Sequence, residues 1–171
     1  MKKGFTMIEL IFVIVILGIL ASVAIPRLAG TREDAEISTA VANLRTLVSD
    51  ANVYYVTKGD LKEKGSTTVA KWGAITSVPV SAADTGVTTE VNLKAGGKEC
   101  IGVQLVEKAG TTPAYIKFTK NGTNSGSGVC KAVVDSASVK AYLEAKTPSV
   151  TGVTNAGVIP IGSTASIYTT N

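Results

Sequence analysis

The chain opens on an almost unbroken apolar run. From Phe5 to Ile25, a span of 21 residues, the one charge is Glu9. That is about the 20 residues a helix needs to cross the hydrocarbon core of a bilayer. Pro26 ends the run. Proline lacks an amide hydrogen and clashes with the preceding turn, so the helix is expected to kink or open there. Gly30 weakens the next turn, and flexibility is expected over 26–31. From Thr31 the pattern turns amphipathic. Thr31-Arg32-Glu33-Asp34 reads as a helix first turn, with acids near the positive end of the dipole. Ile37, Val41, Leu44, Val48, Ala51 and Tyr55 then recur at helical spacing, while Arg32, Glu36, Asn43, Arg45 and Asp50 fall off that stripe. This predicts a helix to about Lys58, stopped by Gly59-Asp60, with the stripe as a core face. From Phe5 to Lys58 the helix would run about 80 Å at 1.5 Å per residue. That exceeds a small domain, so half of it must pack on lipid first and on neighbouring copies afterwards.

Beyond Gly59 the periodicity shortens. Residues 59–85 read as a loop, with a possible helical turn at Val69–Ile75 and Trp72 as a core side chain. Val87–Leu93, Ile101–Glu107, Ala114–Thr119 and Val129–Val134 read as strands. Lys108–Pro113 makes a turn between two of them, and Asn121–Gly128 a polar loop. Asp135 or Ser136 could cap a short helix to Lys146, with Val139, Tyr142 and Leu143 facing in. Val158–Ile161 and Ser166–Thr169 read as edge strands. The fold class is therefore α+β: a long N-terminal helix, kinked near Pro26, on a small antiparallel sheet.

Glu9 demands a reason. A carboxylate inside a membrane helix costs about 2.5–3.5 kcal/mol at mid-bilayer and less near an end. Three readings of the stretch are open. As a cleaved secretory signal, Lys2 and Lys3 form the basic region and Ser22-Val23-Ala24 the cut, but Glu9 interrupts the apolar run and Pro26 lies just beyond. As a plain anchor, the lysines stay in the cytoplasm and the rest is exported, which leaves Glu9 as an unpaired cost. A cut after Gly4, where no Cβ obstructs a peptidase, would instead free an α-amine on Phe5. Phe5 and Glu9 are i and i+4 on one helix face. The amine could pair with Glu9 in its own chain, or in a neighbour's, which would fix the register between packed helices.

These residues carry a resemblance. Lys-Lys-Gly-Phe-Thr-Met-Ile-Glu, the apolar run to Ile25 and Pro26-Arg27 resemble the N-terminal signature of type IV pilins and of secretion and competence pseudopilins. The resemblance covers roughly residues 2–30, continues as a helix pattern to about 58, and fades after that. It implies a leader of residues 1–4, a hydrophobic half-helix over 5–30, and an amphipathic half-helix with a β-rich domain over 31–171. It implies cleavage between Gly4 and Phe5 by a prepilin peptidase, N-methylation of Phe5, and a Phe5–Glu9 charge pair between neighbours. Pro26 matches the place where many such helices kink. The implied partners are further copies in a helical filament, the peptidase and inner-membrane assembly machinery. The implied location is the bacterial inner membrane with the C-terminal domain periplasmic, then a periplasmic or extracellular filament.

Composition narrows the alternatives. The chain has 171 residues, 45% hydrophobic and 18% charged, with a formal charge of +4 to which Lys2 and Lys3 contribute. No basic run supports nucleic-acid binding. With no His and two Cys, an ordinary zinc site cannot be built, and no cofactor or metal is expected. Gly122, Gly126 and Gly128 do not form a phosphate loop, and Asp84 and Glu90 lack calcium-loop spacing. Cys100 and Cys130 should form a disulfide if the domain is exported, as the resemblance also implies; two buried thiols are the alternative. The expected function is a structural filament subunit. A tip-located binding subunit and a membrane-tethered enzyme are the competing classes, and no catalytic set supports the enzyme.

Overall fold

The computed structural model describes residues 4–63, 65–110, 112–126, 128–145 and 157–162, the side chains of Pro26 and Ala29 excepted. Its first element, α1, is a helix over Met7–Lys58. Backbone contacts divide the chain into two units, Met1–Ala35 and Glu36–Asn171, so the division falls inside α1. The helix continues through Pro26, and the proline does not end it.

In the second unit α1 supplies one wall of the core. Leu44, Val48 and Ala51 of the expected stripe are buried, and Ile37, Val41 and Tyr55 pack at its margin. Ala40 and Leu47 are buried as well. A core-facing helix buries a band about 100° wide or more, broader than a single row of side chains. The helix stops at Gly59, whose φ of 76° places it in the left-handed region and whose N–H donates to the Tyr55 carbonyl at 2.8 Å. Glycine takes that C-cap geometry without a Cβ penalty.

The loop that follows is anchored by core residues. It contains one helical turn, α2 (Trp72–Ile75). Trp72 is fully buried, and its indole N–H donates to the Thr89 carbonyl at 3.1 Å. Thr76 Oγ1 donates to Asp50 of α1 at 2.6 Å, tying loop to helix.

The sheet comprises β1 (Val91–Ala95), β2 (Lys98–Val106), β3 (Tyr115–Lys120) and β4 (Val158–Pro160). They lie in that order, with every neighbouring pair antiparallel. Gly96 and Gly97 join β1 to β2 with φ of 57° and 75°, the signs a two-residue hairpin turn requires. Val103 pairs with Val91 on one side and Phe118 on the other, and all three are buried. The expected strand over Val87–Leu93 begins only at Val91. A turn precedes it, with the Thr89 N–H donating to the Gly86 carbonyl at 2.9 Å. Long helix and small antiparallel sheet together give the α+β, pilin-like arrangement that the sequence led us to expect.

One expectation is overturned. Val129–Val134 is not a strand but part of a helix, α3 (Gly128–Asp135). Its buried residues are Cys130, Val133 and Val134, spaced i, i+3, i+4 as on one face of a helix, where a strand would bury alternate residues. The valines favour a strand by propensity, but packing against β2 decides the outcome. Helix α4 (Ala137–Leu143) follows, shorter than expected, since it ends before Glu144. Val139 and Leu143 face in, and Tyr142 packs on Phe118 with ring centroids 5.5 Å apart. The expected strand at Val158–Ile161 is present as β4, while Ser166–Thr169 lies outside the described residues.

Cys100 of β2 and Cys130 of α3 form a disulfide across 30 residues, with Cα atoms 5.0 Å apart. Both cysteines are buried. Reduction is expected to cost about 3–4 kcal/mol in the chain-entropy model. Leu47→Ala, which empties a fully buried position, is expected to cost about 2–5 kcal/mol. Thermal unfolding of the full chain in detergent, with and without reductant, measures both. An unmoved Tm in either case would contradict the packing described.

Lys131 donates to Asp135 one turn further on, and Lys140 Nζ lies 3.8 Å from the other carboxylate oxygen. The hydrogen bond from Lys131, aided by the nearby lysine charges, holds the Asp135 carboxyl below its ordinary range. A carboxylate depressed on folding stabilises above its unfolded pKa and loses that contribution as pH falls through the folded one. Acidification through that range is therefore expected to lower the protection of amides across α3 and α4, taken relative to the intrinsic exchange rate at each pH, by a small factor, since the pair is exposed. Asp135→Asn should abolish that pH dependence.

Candidate functional site

Among its described residues the first unit has no core of its own. Large apolar side chains from Phe5 to Leu28 are all exposed, from 40% at Ile16 to 88% at Phe5. A helix that is apolar all round needs an apolar surrounding. By length and composition, α1 can cross a membrane. Between Met7 and Ala35 its hydroxyls are those of Ser22 and Thr31, and both bond within the helix: Ser22 Oγ donates to the Ile19 carbonyl at 2.8 Å, and Thr31 Oγ1 to the Leu28 carbonyl at 3.0 Å. Such back-bonding leaves neither hydroxyl a bare donor. Gly18, four residues before Ser22, has open space where a Cβ would stand. That pairing leaves a shallow strip where another helix could approach closely.

The head of the helix is a capping box. Thr6 precedes the first helical residue, and its N–H and Oγ1 both donate to Glu9 Oε2, at 2.8 and 2.6 Å. In return the Glu9 N–H reaches Thr6 Oγ1 at 3.4 Å. Threonine at the N-cap and glutamate three residues on satisfy each other's backbone donors reciprocally. The carboxylate also sits at the positive end of the helix dipole. Two local effects thus offset part of the cost of a charge at the head of an apolar segment. Thr6 is not among the expected site residues, although Thr-x-x-Glu ahead of an apolar run is its signal.

The other expected site residues are arranged as follows. Gly4 and Phe5 precede α1 in non-helical backbone, both exposed. Phe5 and Glu9 are four residues apart, and the partner Glu9 takes is Thr6. Lys2 and Lys3 lie outside the described residues. Cys100 and Cys130 are joined within the second unit. Among the described residues, no three His, Cys, Asp or Glu side chains gather as a metal site would require.

Comparison with known proteins gives a consistent picture. Residues 1–25 match the model of the prokaryotic N-terminal methylation motif. The chain is 43% identical over 53 residues to the type II secretion system core protein G of Dickeya chrysanthemi, and 40% over 53 residues to that of Escherichia coli (strain K12). Those matches cover 31% of this chain and 35% and 37% of the relatives, so about a third of each relative's length is spanned. It is also 29% identical over 154 residues to the type IV major alpha-pilin of Moraxella bovis, covering 86% of this chain and 95% of that one. No solved structure matches. The resemblance to type IV pilins and type II secretion pseudopilins therefore stands, and these relatives are structural subunits, not enzymes.

Removing the cap tests its energetics. Thr6→Val is expected to destabilise the first helical turn by about 0.5–2 kcal/mol, read as faster amide exchange at Ile8–Leu10 in micelles. Thr6→Ser should restore protection. Equal exchange in all three chains would show that the capping box contributes nothing.

Proposed function

We propose that this protein is a structural subunit of a filament, a type IV pilus or a secretion pseudopilus, made first as a membrane-anchored precursor. The observation that carries this reading is an apolar helix with no core of its own and a carboxylate at its head. Lipid covers residues 5–30 before assembly, and the same segments of neighbouring copies cover them afterwards. Lys2 and Lys3 keep the start of the chain in the cytoplasm, and the domain built from residues 31–171 is exported to the periplasm. A buried Cys100–Cys130 disulfide supports an oxidising compartment.

A prepilin peptidase cuts between Gly4 and Phe5, removing the leader of residues 1–4, and Phe5 is N-methylated; the methylation motif over residues 1–25 supports this step. The cut removes two lysines and creates one α-amine at the helix head. Thr6 engages Glu9 through Oε2, and Oε1 remains for the Phe5 amine of an adjacent copy. A charge pair in an apolar surrounding is costly to misalign, since an unpaired partner is left desolvated. The pair thus sets the axial register of lateral packing over residues 5–25. Pro26 gives α1 a place to kink as copies close around the filament axis. Further copies, the peptidase and inner-membrane assembly machinery are the partners this route needs.

Glu9→Ala tests the route. The variant is expected to insert and be cleaved, yet yield few or no filaments when sheared fractions are counted by microscopy and blotting. Filaments in wild-type amount from Glu9→Ala would sink the pairing mechanism.

A further inference from the structure

Asn121-Gly122 stands at the exit of β3, in the polar turn left over by the filament reading. It is the only asparagine in the chain followed by glycine. The Asn121 backbone is held on both sides: its N–H donates to the Cys100 carbonyl at 3.1 Å, and its carbonyl accepts from Ser125 at 3.0 Å. The side chain is held too. Oδ1 accepts from the Thr123 N–H at 3.1 Å, and Nδ2 donates to Asn92 Oδ1 at 3.4 Å. The first of these closes an Asx turn. Within that hydrogen-bonded ring lie both the Asn121 Cγ and the Gly122 nitrogen. Among the described residues, no acceptor takes the Gly122 N–H.

We propose that Asn121 is a self-modifying site, converted without an enzyme to aspartate and isoaspartate by attack of the Gly122 backbone nitrogen. Gly122 loses its amide proton to solvent hydroxide, and its nitrogen bonds to Asn121 Cγ. The Cγ–Nδ2 bond then breaks, and ammonia leaves carrying a proton from water. The five-membered imide that results is opened by water at either carbonyl, and no group is oxidised or reduced. Three features favour the reaction here. Glycine offers no side chain to obstruct the attacking nitrogen. The Asx turn keeps the two reacting atoms in one small ring. The Thr123 N–H faces the oxygen on which negative charge develops, as an oxyanion donor does.

The other described asparagines lack this set. Asn43 and Asn52 lie inside α1 and Asn92 inside β1, where helix and ladder geometry hold the next residue, and each is followed by a bulky side chain. Asn124 is followed by Ser125, whose N–H is already given to the Asn121 carbonyl. Conversion changes the surroundings of residue 121. Asn92 Oδ1 loses its donor and gains a carboxylate beside it, while Asn92 Nδ2 already serves Glu99 Oε2 at 3.1 Å. Each copy would gain one negative charge at this corner of the sheet as it ages.

The test is a time course on the full, unreduced chain purified from its own cells, kept warm at mildly alkaline pH and then digested. Fragment spectra are expected to show the mass gain of ammonia exchanged for water at Asn121, earlier than at Asn43, Asn52, Asn92 or Asn124 and faster as pH rises. Gly122→Ala, whose added methyl meets nothing within 4 Å, should slow the gain several-fold. Thr123→Pro, which removes the N–H donor, should slow it as well. No gain at Asn121 while another asparagine reacts would overturn the proposal. Unchanged rates in both variants would equally overturn the geometry given for it.

Discussion

A carboxylate at the head of an apolar helix is the constraint on which the rest of this molecule turns. Residues 7–25 have no polar partner to offer Glu9, and no part of this apolar segment is buried within the chain. The single chain gives a partial answer through Thr6, which donates to Glu9 twice and caps the helix in doing so. Those bonds occupy one carboxylate oxygen and leave the charge uncompensated. A free α-amine at Phe5 would supply the missing charge, and a neighbouring copy is the place from which it can also set register. In the proposed route, chain insertion, processing and assembly are three stages of one electrostatic problem.

The two parts of α1 meet opposite demands with the same backbone. Up to Leu28 the large apolar residues surround the helix and face outward; from Glu36 on most gather on one face and enter a core, Val53 and Val56 staying exposed. That change in pattern was readable in the sequence, because helical periodicity reports directly which side is buried. The reading was too narrow at Ala40 and Leu47, since a row of side chains spaced three and four apart marks the centre of a buried band and not its edges. The stop at Gly59 and the core role of Trp72 were readable for local reasons: one needs a left-handed residue, the other a large apolar pocket.

Where the sequence misled, tertiary packing had overruled local preference. Val129–Val134 has the composition of a strand, yet lies as a helix because Cys130, Val133 and Val134 must share one face against β2. The late start of β1 reflects the turn at Gly86–Thr89, whose hydrogen bond no alternation of side chains announces. At the candidate site the charge was found and its nearest partner was not. Glu9 stood out because it is costly, whereas Thr6 looked ordinary until its position three residues ahead of Glu9 was read as a cap. The two cysteines pair, as export and the resemblance led us to expect, and their buried bridge between β2 and α3 supplies the reason they matter to stability.

What happens at Gly4 and Phe5 decides the proposed assembly route. An intact mass and an N-terminal fragment spectrum of the protein from its own cells, taken without reduction, address this directly. A chain that starts at N-methylated Phe5 and retains the Cys100–Cys130 bridge is the predicted result. A chain that still starts at Met1 would make the helix a plain anchor, and one that starts at Ile25 would make it a discarded signal. Either would contradict assembly through a Phe5–Glu9 pair.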